Sequence, residues 1–82
     1  MELRITASAE KQFAHLPAAD QQRIRARLNA YAAAPEEAGH DVIMLVNRKG
    51  LMRLRVGDWR VIFEKREAIT VLKVMHRREA YR

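Results

Sequence analysis

The stretch LMRLRVGDWRVIFE, residues 51–64, decides the fold. Leu51 to Val56 and Trp59 to Glu64 each alternate apolar with polar residues, the period of a half-buried strand. Gly57-Asp58 separates them, and a glycine first in a two-residue loop meets the positive φ that a type II′ hairpin turn requires. The register follows: Val56 faces Trp59, Arg55 faces Arg60, Leu54 faces Val61 and Arg53 faces Ile62. Met52, Leu54, Val56, Trp59, Val61 and Phe63 then form one apolar face that must be covered, while Arg53, Arg55 and Arg60 share the other. Arg55 and Arg60, directly opposite one another, repel. An anion on that face would remove the cost, and Arg55→Ala is expected to raise stability slightly.

On either side of the hairpin the chain continues in extended periods. Val42 to Val46 is a β-branched run, and Ile69 to Met75 is apolar with Thr70 and Lys73 inserted, so both read as strands. Upstream the period becomes helical. Ile24, Leu28, Tyr31 and Ala32 recur at intervals of four, three and one, making a single stripe on a helix from Ala18 to Ala33 that Pro35 ends. A shorter helix from Ala9 to Leu16, with Ser8 as N-cap and Pro17 as its stop, buries Phe13 and Leu16. Glu2 to Thr6 alternates as a short strand, and Glu36 to Asp41 reads as loop. This order predicts one α+β domain over residues 1–82, with two N-terminal helices on one face of a twisted, mainly antiparallel sheet.

Composition narrows the function. The 82 residues are 49% hydrophobic, enough for one packed domain and too few for two. Without cysteine there is no disulfide framework, thiol nucleophile or Cys-based metal site. His15, His40 and His76 lack the spacing of a metal site, so no metal and no small-molecule cofactor is expected. The sequence offers neither a signal-peptide core nor a membrane span, and the expected compartment is the cytoplasm.

The formal charge is +6, unevenly placed. Residues 1–41 hold five Lys/Arg against six acids, and residues 42–82 hold eleven against four, so the halves carry −1 and +7. Twelve of the sixteen cations are arginine, whose planar fork suits bidentate contact with phosphate oxygens. A nucleic-acid partner is therefore expected. The tail after the last strand holds His76, Arg77, Arg78, Glu79, Tyr81 and Arg82, groups that can supply acid, base and phosphate-binding functions at one phosphodiester. Arg48-Lys49-Gly50 is a loop whose cations either reach RNA or are simply solvated, whereas Lys11, Arg23, Arg25 and Arg27 read as solvated helix surface, with contact to RNA phosphates as the alternative.

The string MRLRVGDWRVIFE, followed by ITVLKVMHRREAYR, resembles the RelE branch of the RelE/ParE toxin superfamily of type II toxin–antitoxin systems over essentially the whole chain. The resemblance implies a ribosome-dependent mRNA endoribonuclease that enters the A site and cuts the message without a metal, leaving a cyclic phosphate and a 5′-hydroxyl. It also implies neutralisation by a cognate antitoxin. The family's paired strand cations fall on Arg53 and Arg55, its next-strand arginine on Arg60, its arginine after the last strand on Arg77 and its C-terminal tyrosine on Tyr81. Some members carry lysine at the first two positions; arginine does not deprotonate, so the general base is Tyr81 or His76. Arg53, Arg48, Lys49 and Arg78 would add RNA contacts. Two alternatives stand beside this reading: a ParE-like gyrase inhibitor that performs no catalysis, and a non-catalytic RNA-binding domain.

Overall fold

A computed structural model describes residues 1–46 and 48–80. The chain runs β1 (Glu2–Ile5), α1 (Ala7–Ala14), α2 (Ala18–Ala33), two 3-10 turns (Pro35–Glu37 and Gly39–Asp41), β2 (Val42–Met44), β3 (Leu51–Val56), β4 (Trp59–Lys65), β5 (Ala68–His76) and α3 (Arg77–Ala80). The five strands form one sheet in the order β1-β5-β4-β3-β2, antiparallel except where β1 runs parallel to β5. This is the expected α+β architecture, extended by the short α3. No helix among the described residues is long and apolar enough to cross a membrane.

The hairpin has the register that alternation dictates, with Arg55 opposite Arg60 and Val56 opposite Trp59. Gly57 has φ +58° and no non-glycine described residue has positive φ, the signature of a turn with a left-handed first position alone. The helices cover the apolar face. Ala9 and Phe13 of α1 and Ile24, Leu28, Tyr31 and Ala32 of α2 close over Leu54, Val61, Phe63, Ile69 and Val71. Tyr31 and Phe63 meet ring to ring at 5.2 Å between centroids, tying α2 to the middle of the sheet.

Three boundaries differ from the sequence reading. Thr6, not Ser8, caps α1: its hydroxyl accepts from the Ala9 N–H at 3.1 Å. Its own N–H donates to Val71 O at 3.1 Å, so the last rung beside β5 is also the helix cap and the chain passes from strand to helix without a loop. The helix also ends earlier, at Ala14, because His15 and Leu16 turn back in tight bonds to Gln12 O and Phe13 O. At the other edge β2 stops at Met44, and Val46 projects fully into solvent.

Between β4 and β5 the register slips at Ile62/Phe63: Ile62 pairs with Lys73 and Phe63 with Val71, leaving Leu72 as an extra residue. This bulge lets Val71 and Val74, three apart, both face the core.

Candidate nucleic-acid interface

The pleat puts Arg53, Arg55 and Arg60 on the sheet face opposite the helices, but in three different environments. Arg55 is exposed and Arg53 half-buried. Arg60 is only 7% exposed, because its guanidinium folds back onto the turn, where Nη1 donates to Gly57 O at 2.8 Å and Trp59 O at 3.0 Å. The hairpin thus holds this cation rigid at its own tip.

The β5–α3 junction brings in the next cation. The backbone N–H of Arg77 donates to Asp58 O at 2.7 Å, and its Nε lies 3.6 Å from the Asp58 carboxylate, so the end of β5 is clipped to the β3–β4 turn. Arg55, Arg60 and Arg77 therefore line one concavity of about 820 Å³ at the hairpin end of the sheet. Its far wall is α2, which presents Arg23, Ala26, Arg27 and Ala30. The small side chains leave the hollow open, and the wall brings the arginine total to five against Asp41 and Asp58. A smaller hollow of about 220 Å³ joins Arg53 to the cluster, with Arg55 and Arg60 again in its lining.

Asp41 was not singled out from the sequence. Its Oδ1 accepts from Arg55 Nε at 3.3 Å and Nη2 at 3.0 Å, and its Oδ2 lies 3.6 Å from Arg27 Nη2. The β2–β3 register places it: with Val42 opposite Leu54, the residue before Val42 stands beside Arg55. This carboxylate supplies from within the chain the anion that the Arg55–Arg60 pair requires. The expectation that Arg55→Ala stabilises is accordingly revised. Loss of the repulsion is offset by loss of an exposed ion pair, and urea melts should show stability lowered by no more than ~0.5 kcal/mol.

The arginines of α2 are not simply solvated either. Arg23 lies 3.6 Å from Asp20, and Arg25 bonds Glu10 at 3.1 Å while stacking 4.6 Å above the Phe13 ring.

The remaining described residues that the sequence nominated do not line the concavity. His76 pairs across the sheet with Trp59, its ring edge-on at 5.3 Å, and its Nδ1 accepts from the Arg78 N–H at 3.2 Å. A residue opposite Trp59 shares its face, and Arg60, the next residue, points to the other; the imidazole is thus turned away from Arg55 and Arg60. Arg78 is exposed on α3. Arg48 and Lys49 stand beyond the far end of β3, which the strand rise puts about 17 Å from Val56. There Arg48 is ion-paired with Glu64, and Lys49 lines a separate hollow with Met44, Met52 and Lys65. Tyr81 lies outside the described residues. Among the described residues no group of three or more His, Cys, Asp or Glu is placed to hold a metal. On the edge strand β1, hydrogen bonding to Arg4, reinforced by its charge, holds the Glu2 carboxyl below the usual carboxylate range, remote from the concavity.

The sequence matches the family model described as ParE toxin of type II toxin–antitoxin system, parDE, over residues 3–81. Among solved structures, the chain is similar to the archaeal RelE of a RelE–RelB complex from Pyrococcus horikoshii OT3, at 28% identity and TM-score 0.79, covering 93% of each chain. A RelB–RelE complex from Methanococcus jannaschii matches at 20% identity and TM-score 0.78, over 95% of this chain and 94% of that one. The isolated E. coli RelE toxin shares the fold at 15% identity and TM-score 0.75, over 98% and 94%. No curated protein matches the chain.

Proposed function

The chain belongs to the ParE toxin family of the RelE/ParE superfamily, the toxins of type II toxin–antitoxin systems, and from that premise we propose that it is a ribosome-dependent mRNA endoribonuclease. The observation that carries this reading is the convergence of Arg55, Arg60 and Arg77 on one open concavity. Cleavage begins with attack of a ribose 2′-hydroxyl on the adjacent phosphorus, and the 5′-oxygen leaves. The negative charge that builds on the phosphorane is stabilised by donors already in place. Arg60, fixed by two backbone carbonyls, is the preorganised member at the scissile phosphate; Arg77 stabilises the charge at the leaving oxygen, and Arg55 holds the backbone next to them. With His76 turned toward Trp59, the proton of the 2′-hydroxyl falls to Tyr81, which follows directly on α3.

The ribosome and its message are the proposed partners at this site, and a cognate antitoxin is the other. Several of the similar solved structures are toxin–antitoxin complexes. The open edge of β2 exposes Ile43 and Met44, with Val46 just beyond it, an apolar surface suited to an added strand or amphipathic helix.

A second reading, favoured by the description of the matching family model, is a gyrase inhibitor of ParE type without catalysis. One experiment separates the two. Added to a translation extract, the protein should produce message ends that map within codons at occupied A sites. Intact message, together with altered supercoiling in a gyrase reaction, would establish the second reading instead.

A further inference from the structure

The concavity is not vacant of negative charge. Asp41 sits inside it with one carboxylate oxygen on Arg55, at 3.0 Å, and the other facing Arg27, at 3.6 Å, so it joins the helix layer to the sheet across the site. It also lines both hollows that Arg55 and Arg60 share. Two guanidinium groups converging on one oxyanion is the arrangement a backbone phosphate takes. Its side chain is 40% exposed, so the carboxylate can rotate into water without opening the core.

We propose that Arg27 and Arg55 form a second backbone-phosphate subsite beside the one made by Arg60 and Arg77, and that Asp41 occupies it until a bound strand displaces it. The inference deepens the nuclease reading by assigning Arg27 to the RNA and Asp41 to the selection of ligand. A lone anion must compete with a carboxylate that is covalently present. A strand already held at Arg60 and Arg77 delivers its neighbouring phosphate at high effective concentration, so the site favours a polyanion over isolated phosphate.

The test measures binding of a short single-stranded oligodeoxynucleotide, which has no 2′-hydroxyl to attack, to the purified protein at low salt. Asp41→Asn should bind roughly three- to tenfold more tightly, the loss of two partly exposed ion pairs from the free state. Glu37→Gln, which removes an exposed acid outside the concavity, should change affinity by less than about twofold. Arg27→Gln should weaken binding about threefold or more, because it removes a phosphate contact. Equal effects of Asp41→Asn and Glu37→Gln, or an unchanged affinity for Arg27→Gln, would overturn the proposal. Should Asp41→Asn fail to fold in a thermal melt, Arg27→Gln decides alone. Absence of oligonucleotide binding by both wild type and Asp41→Asn would also overturn it. Since no cleavage is involved, intact message on ribosomes would refute the nuclease reading and leave these affinities to stand or fall separately.

Discussion

Arg60→Ala is expected to abolish message cleavage and to weaken the fold at the same time. Removing a positioned donor to developing charge lowers the chemical rate by a factor on the order of 10² or more. The same change strips Gly57 O and Trp59 O of their donor at a buried position, at about 1–3 kcal/mol. Arg77→Ala is the informative contrast, since that side chain is 61% exposed and its ion pair with Asp58 contributes little. It should lower cleavage to a similar degree with the urea midpoint almost unchanged. Cleavage measured on ribosomes, set against urea melts of both variants, checks the division. A stable Arg60→Ala protein would show that the guanidinium serves the RNA without bracing the turn.

The largest loss of stability is expected at Phe63. The ring is fully buried, lies opposite Met52 on one side and Val71 on the other, and meets Tyr31 of α2. Phe63→Ala removes that shared contact and leaves a cavity, costing roughly 3–5 kcal/mol. A domain of this size has only about 4–12 kcal/mol in total, so the variant should unfold at far lower urea than wild type. Phe63→Leu, which keeps most of the volume, should recover most of the loss. Similar midpoints for wild type and Phe63→Ala would place the centre of the core elsewhere.

Much of the architecture was legible because alternation and stripe periodicity are local. Residues 51–64 fix the pairing of Arg55 with Arg60, and the four apolar positions of α2 are the four that bury. Long-range geometry was less accessible. The bulge at Leu72 depends on how β5 meets β4, and no property of Leu72 alone announces it. Thr6 outcompetes Ser8 as a cap because β5 holds its backbone extended, which is a tertiary cause. At the site, Arg55, Arg60 and Arg77 do line one hollow, yet the burial of Arg60 and the anchoring of Arg27 through Asp41 arise from contacts between elements. His76 was singled out for its imidazole, and strand parity turns it away from the cluster.

The parallel pairing of β1 with β5 has a consequence for how such a chain is made. Glu2–Ile5 are made before the helices and the other strands, but among the described residues their only neighbour in the sheet is β5, Glu2 meeting Ala68 and Ile5 meeting Val71. Until β5 has emerged, the N-terminal segment has no strand to pair with, and the β3–β4 turn, already made, waits for Arg77, which follows that strand. Pairing so distant in sequence must await both strands, so this edge of the sheet forms only after β5 has been made. For a protein proposed to attack translation, this topology makes the arginine site one of the last features to be assembled, because Arg77 reaches the β3–β4 turn only from the end of β5.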